Sequence, residues 1–281
     1  MLKTDAVSYE VHGARLLDGV SISVLPGRLQ VIIGPNGAGK STLLRVLGGE
    51  LRPTAGTVTL DGIELRKFHA RELARRRAVV PQATTLSFPF TALEVVQLGA
   101  SVPGFELPDR KIAVAAEHAL ATVGMADFAA RLYIELSGGE RQRVHIARAL
   151  CQLACAAQQP GETSVLLLDE PTSSLDLAHQ SLVLNEMRRQ AQNGRAVLAI
   201  LHDLNLAAAF ADEVVVMSRG GVAACGPPPV VFTDALLSEV FEHPVRVNKL
   251  PANGIPFVLP QTEPAAASSG KNTHTSFFEV F

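Results

Sequence analysis

The stretch GPNGAGKST, from Gly34 to Thr42, places a lysine and two hydroxyl residues directly after three glycines. Gly34, Gly39, Lys40 and Ser41 occupy the fixed positions of the phosphate-binding pattern G-x-x-x-x-G-K-[ST], with Pro35, Asn36, Gly37 and Ala38 filling its variable span. Backbone N–H groups of Asn36 to Lys40 can wrap a polyanion, and the helix that opens near Ser41 adds its positive end. Lys40 is a point charge for the outer phosphates, and the Ser41 hydroxyl, with Thr42 beside it, is a ligand type for Mg²⁺. Two apolar runs further on also end in reactive side chains. VLLLDEP ends in Asp169 and Glu170, and AVLAILHD ends near His202. Asp169 suits a hard cation through water, Glu170 is free to polarise an attacking water, and His202 can bridge that water and a γ-phosphate. Each has a plainer reading alone: a Gly-rich turn, a helix N-cap pair and a hydrogen-bonded structural histidine. Together they read as hydrolysis of a nucleoside triphosphate with Mg²⁺.

The runs that precede these residues dictate how they meet. Leu29 to Ile33, Val165 to Leu168 and Ala196 to Ile200 are short continuous apolar stretches, the pattern of parallel strands buried on both faces. In an open parallel sheet, ligands sit beyond the carboxyl ends of the strands, so three such ends predict one site. STLLRVLGG reads as a helix with Leu43, Leu44 and Leu47 on one face, ended by Gly48 and Gly49. GTVTLDGIEL carries an Asp-Gly turn at Asp61 and predicts a hairpin, as does DEVVVMSRGGVAACG. HARELARRR reads as a basic surface helix with a solvated face. From about Pro89 to Leu150 the runs are helical, as in RKIAVAAEHALATVG and ERQRVHIARALCQLACAA, which predicts a helical subdomain inserted in an α/β core. QQPGETS, Gln158 to Ser164, reads as a polar loop, and the small, polar stretch Gln261 to Ser276 as a disordered tail.

Composition narrows the class. The chain has 281 residues and a formal net charge of −2, without the basic stripe of a nucleic-acid binder. No apolar stretch approaches the ~18 residues of a membrane span, and the opening MLKTDAVSYE has no apolar signal core. The expectation is a cytosolic protein that works on a membrane only as a peripheral subunit. Cys151 and Cys155 stand one helical turn apart and Cys225 is isolated, so the cysteines read as small buried residues, not as a metal site or disulfide framework. A guanine-reading N-K-x-D is absent, because Asn248 and Lys249 continue as Leu250 and Pro251.

Two further stretches narrow it again. LSGGERQRV begins at Leu136 and EPTSSLDLAHQ at Glu170. With GPNGAGKST and VLLLDEP, and in this order, they resemble the ATP-binding-cassette (ABC) ATPases over nearly all of the chain up to about residue 250. The resemblance implies an α/β fold: a P-loop NTPase core with an inserted helical subdomain (about 89–150) and an N-terminal antiparallel β subdomain. Residues 1–258 would form the ABC ATPase domain and 259–281 a disordered tail. It also implies that Ser137, Gly138, Gly139 and Glu140 are the signature motif, which binds the γ-phosphate of ATP held by the opposite subunit. The helix continuing through Val144 and Ala147 would supply the amides. Gln82 would join the core to the helical subdomain and sense Mg²⁺, and Ser174, Leu175 and Asp176 would cross the dimer interface. One copy of each motif implies a head-to-tail homodimer with two ATPs. The family's adenine-stacking aromatic has Tyr9 as its nearest candidate, with Val11 or His12 as alternatives and an ordinary strand residue as the plain reading.

HDLNLAAAFADEVVVMSRGGVAACGPPPVVFTDALLSEVF, VVPQATTLSFPFTALEVVQLG and the long link CQLACAAQQPGETS resemble the ATPases of iron–siderophore, haem and cobalamin importers, the haemin-import group most of all. That resemblance implies two transmembrane permease subunits, a periplasmic haemin-binding protein reached through them, and a place on the cytoplasmic face of the inner membrane. Segment Phe88 to Glu94 would form part of the groove that receives a permease helix, with Phe88 and Phe90 either exposed anchors or core. The other class is a non-transport ABC ATPase of DNA repair or translation. Such proteins carry long coiled-coil insertions or paired cassettes with basic linkers, and neither is present.

Overall fold

The computed structural model describes residues 1–82, 88–101, 107–156, 161–250, 255, 256 and 258. The chain opens with β1 (Leu2–Val11), β2 (Ala14–Val20), β3 (Ser23–Val24) and β4 (Leu29–Ile33), followed by α1 (Lys40–Leu47). β5 (Ala55–Leu60), β6 (Ile63–Glu64), α2 (Ala70–Arg76) and β7 (Arg77–Val80) come next. Three helices then succeed one another: α3 (Ala92–Gln97), α4 (Asp109–Thr122) and α5 (Gly138–Cys155). The chain returns to alternation with β8 (Val165–Asp169), α6 (Leu177–Gln192), β9 (Ala196–Ile200), α7 (Leu204–Phe210), β10 (Glu213–Ser218) and β11 (Gly221–Gly226), and closes on α8 (Pro228–Val231) and α9 (Asp234–Val240).

Two sheets result. The first is antiparallel, in the order β2-β1-β5-β6, with β3 also paired to β1. The second runs β11-β10-β4-β9-β8-β7 and is parallel from β10 to β7, with β11 antiparallel at its edge. Both expected hairpins form. Asp61–Gly62 joins β5 to β6 and Arg219–Gly220 joins β10 to β11, each pair with two positive φ angles, the turn whose twist matches the strands it joins.

All five residues of β4, β8 and β9 are buried. Their side chains alternate between two cores. Leu29, Val31 and Ile33 join Leu166, Leu168, Val197 and Ala199 in the cluster built with α3 to α7. Ile32 joins Val165, Leu167, Leu198 and Ile200 in the cluster built with α1 and the antiparallel sheet. Burying each such side chain contributes about 1.5–3 kcal/mol, which is why continuous apolar runs select this central position.

Two expectations need correction. The basic helix is not a solvated face throughout. Arg76 is 7% exposed, pairs with Asp61, donates from Nε to Thr163 O at 3.4 Å and lies 5.4 Å over the Phe68 ring. Its partners come from a distant turn and a distant loop, which the local charge run does not reveal. α5 ends at Cys155, inside the helical run expected through ERQRVHIARALCQLACAA, and Cys151, Leu153 and Cys155 lie on its buried stripe as expected. Cys225, by contrast, is exposed. The expected tail, 259–281, and the start of the loop from Gln158 lie outside the described residues.

Candidate active site

β4, β9 and β8 are adjacent in the parallel sheet, so their carboxyl ends stand side by side. The loop after β4 is shaped by close backbone packing. A Cβ on Gly34 would lie 2.2 Å from Met217 O, and one on Gly39 would lie 2.6 Å from Leu16 O. Both glycines also hold positive φ, at 149° and 95°. Either substitution would push the loop off β10 or β2. Gly39 is the N-cap of α1 and offers no side-chain oxygen, so no cap competes for the first-turn amides of Lys40, Ser41 and Thr42. Pro35, Asn36 and Gly37 form the outer turn, with Asn36 and Gly37 exposed, and Ala38 is buried beneath it. This leaves a concave backbone at the positive end of a helix, suited to a polyanion.

Lys40 folds back over the loop, its Nζ donating to Gly34 O and Pro35 O, both at 2.8 Å. Burial lowers its pKa, partly opposed by Glu170 and Asp169. Ser41 Oγ donates to Asp169 Oδ1 at 3.1 Å, bringing together the ends of β4 and β8. Burial raises the Asp169 carboxyl, the Ser41 bond works against this, and Glu170 adds to it. A hydroxyl and a carboxylate, with space for phosphate oxygens, form the all-oxygen set that Mg²⁺ prefers, so these residues fit that ion.

Glu170 follows Asp169 at φ 49°, a left-handed conformation that costs a non-glycine residue about 1 kcal/mol or more. Both of its carboxylate oxygens are engaged. Oε2 accepts from Gln82 Nε2 at 2.7 Å, and Oε1 pairs with His202 Nε2 at 2.5 Å. His202 is exposed beyond the end of β9, and Asp203 next to it caps α7. Gln82 therefore reaches the carboxylate of Glu170 instead of the Ser41–Asp169 pair. Each oxygen of that carboxylate keeps a second lone pair free for a further donor.

Ser137, Gly138, Gly139 and Glu140 lie elsewhere, along a separate cleft of about 530 Å³ that they share with Ser174, Leu175 and Asp176. Ser137 caps α5 reciprocally: Glu140 N donates to Ser137 Oγ at 3.3 Å and Ser137 N donates to Glu140 Oε2 at 2.7 Å. The backbone bond lowers the Glu140 carboxyl. The cap engages the amides of Ser137 and Glu140 and not those of Gly138 and Gly139. Leu175 is buried, while Ser174 and Asp176 are exposed.

The sequence matches the family profile described as ABC transporter over residues 17–173, more than half of the chain. The chain belongs to the ABC transporter family. It is 49% identical over 262 residues to the Hemin import ATP-binding protein HmuV of Agrobacterium fabrum (strain C58), covering 93% of this chain and 99% of that protein. It is 44% identical over 262 residues to the protein of the same name from Rhizobium meliloti (strain 1021), with the same coverage. Among solved structures it is similar to the dimeric post-hydrolysis state of the ATP-binding cassette MJ0796 bound to ADP and Pi. The TM-score is 0.70 at 28% identity, covering 81% of this chain and 99% of that chain.

Tyr9 pairs with Leu17 across β1 and β2 and is half-buried against the second core, while Val11 ends β1 and His12 sits exposed in the following turn. Phe88 is 66% exposed and Phe90 packs on the core, their rings 6.1 Å apart, so the two aromatics divide between the two readings. Arg143 and His179 escaped the sequence reading, yet both line the signature cleft. Each follows a cleft residue, Glu140 or Asp176, by three positions on a helix, and that spacing was the available signal.

Proposed function

We propose that this chain is the ATP-hydrolysing subunit of a haemin importer, working as a head-to-tail homodimer against two transmembrane permease subunits. The observation that carries the chemistry is the meeting of Lys40, Ser41, Asp169, Glu170 and His202 at three adjacent strand ends. The cargo reading rests on the hemin-import relatives, which this chain matches over 93% of its length. No described helix is long and apolar enough to cross a membrane, which suits a peripheral subunit on the cytoplasmic face of the inner membrane. A periplasmic haemin-binding protein would deliver cargo from the other side, and selectivity would lie there and in the permease. Residues 1–258 act as one ABC ATPase domain, with its helical subdomain at about 89–150.

The residues divide the work as follows. The loop Gly34 to Thr42 holds the phosphates through its amides from Asn36 to Thr42, and Lys40 exchanges its two loop carbonyls for the outer phosphate oxygens. Ser41 and Asp169 would hold Mg²⁺, with Gln82 reporting on the site, and the ion would supply positive charge against the phosphates. Glu170, held by Gln82 and His202 through one contact to each oxygen, takes the proton from the attacking water, and His202 orients that water and the γ-phosphate. The amides of Gly138 and Gly139 meet the γ-phosphate held by the opposite subunit, framed by Ser137 and Glu140, while Ser174, Leu175 and Asp176 face the partner. Tyr9 is the adenine-stacking candidate. Binding favours the closed dimer, hydrolysis releases it, and that difference moves the permease.

The test is growth of a gene-deletion strain on haem, a ferric siderophore or cobalamin as the only usable source. Failure on haem alone, rescued by wild type and not by Glu170→Gln, is the expected result. Growth on haem with failure on another source would replace the cargo. Growth on all three would return the non-transport class.

A further inference from the structure

A buried polar pair stands apart from the nucleotide chemistry. Tyr133 is 1% and His145 3% exposed. The Tyr133 hydroxyl lies 2.7 Å from His145 Nε2, with the rings edge-on and their centroids 5.4 Å apart. Burial, with the charge of Arg148, holds the His145 pKa down at about 4, so the imidazole is neutral at pH 7 and the contact is a neutral hydrogen bond.

Its position matters more than its chemistry. Tyr133 N donates to Phe90 O at 2.8 Å, Ala92 N to Arg131 O at 2.9 Å and Leu93 N to Ala129 O at 3.0 Å. Segment 90–93 is thereby laced to segment 129–133. Tyr133 precedes Ser137 by four residues, and His145 lies eight residues beyond Ser137, about 12 Å along α5. The same tyrosine thus holds Phe90 through its backbone and α5 through its side chain. On the outer side, Phe90 touches the exposed ring of Phe88. Apolar side chains fill most of the core around them, while Arg141 of α5 lies 5.6 Å over the Tyr133 ring and donates to Ile134 O at 2.6 Å. Apolar contact is non-directional, whereas a hydrogen bond in such surroundings fixes one geometry. Two apolar side chains in place of the pair would leave the register between turn and helix to Arg141 at the outer end of α5.

We propose that Tyr133 and His145 are positioning residues that lock the Ser137–Glu140 end of α5 to the Phe88–Phe90 segment, so that a displacement of that segment is delivered to the amides of Gly138 and Gly139. The inference rests on the reading of those amides as the γ-phosphate site of the opposite subunit.

The test uses the full chain carrying Tyr133→Phe or His145→Leu, with ATP and Mg²⁺. Nucleotide affinity should stay within about twofold, because the phosphate loop is untouched, while kcat falls about tenfold for the loss of one buried hydrogen bond. His145→Gln, which keeps a polar group for the hydroxyl, should recover most of that loss. The double variant should be no worse than the weaker single variant. Amide hydrogen exchange supplies a second readout: protection at Glu140 and Arg141, whose amides bond Ser137, should drop in Tyr133→Phe while the interior of α6 stays unchanged. Wild-type kcat in Tyr133→Phe, affinity and kcat falling together with thermal stability, or unchanged exchange at Glu140 and Arg141 would each overturn the proposal. A wild-type chain that hydrolyses no ATP would instead overturn the proposed function, and the exchange measurement would still decide the role of the pair.

Discussion

Gly138 and Gly139 are neighbours whose replacement by alanine should give opposite effects. A Cβ on Gly139 would stand 2.6 Å from Ser174 O and 3.3 Å from Leu175 Cδ2. Ordinary C···O contacts lie near ~3.3–3.6 Å, so the Ser174 backbone must yield by roughly 0.7 Å. That backbone cannot move freely, because Ser173 N bonds Glu170 O, Leu175 N bonds Thr172 O and Asp176 caps α6. Overpacking of this kind costs about 1–3 kcal/mol, and Gly139→Ala should melt roughly 3–9 °C below wild type. A Cβ on Gly138 meets nothing within 4 Å, and its φ is not positive. Gly138→Ala should therefore be as stable as wild type, or up to about 1 kcal/mol more stable, since alanine favours the helix. Yet the empty space beside Gly138 is where the proposed function puts a phosphate of the opposite subunit. A methyl group there displaces the phosphate by about an ångström, enough to lower turnover by roughly 100-fold. Differential scanning calorimetry and steady-state ATP hydrolysis read both effects. Full turnover in Gly138→Ala would refute the head-to-tail site, and an unshifted melting point in Gly139→Ala would refute the packing argument.

Three further outcomes follow from the site and its supports. Lys40→Ala should weaken nucleotide binding in an equilibrium titration, and unchanged affinity would remove Lys40 from its assigned role. Ser41→Ala takes away the hydroxyl that bonds Asp169 and should lower Mg²⁺ affinity about tenfold in calorimetry with nucleotide present, with ATP binding in EDTA little changed. Asp61 tests the support between the sheets. Burial alone would raise its carboxyl, but bonds from the N-terminal amine and from the Thr163 hydroxyl and N–H lower it to about 2. A depressed carboxylate stabilises the fold above its ordinary pKa and loses that contribution as pH falls from about 4 towards 2. After solvent screening the effect is about 1 kcal/mol. Asp61→Asn should remove that part of the acid dependence of stability, and an unchanged pH profile would show that the cluster contributes nothing.

The legible parts of this protein were those encoded locally. Continuous apolar runs marked β4, β8 and β9, because strands buried on both faces have no polar side. Their terminal residues marked the site, because parallel strands end together. The Asp61–Gly62 turn was readable because left-handed geometry favours pairs such as Asp-Gly, whereas Arg219, at φ 50°, is not a residue that marks such a turn. What stayed hidden depends on distant partners. Gly34 and Gly39 must be glycine because Met217 O and Leu16 O press on them, and neither neighbour is near in sequence. Arg76 hides inside a basic run because Asp61 and Thr163 reach it from other elements. The double engagement of Glu170 by Gln82 and His202 needs three strand ends at once, and the Tyr133–His145 bond needs α5 folded against the preceding turn.

The central claim joins hydrolysis at Glu170 to movement of haemin. Its most direct measurement is ATP-dependent haemin accumulation in proteoliposomes that contain the permease, the binding protein and this ATPase, either wild type or Glu170→Gln. The account predicts accumulation with wild type and none with Glu170→Gln, although the variant still binds ATP. Accumulation driven by Glu170→Gln, or transport of a siderophore or cobalamin in place of haemin by the wild-type complex, would contradict it.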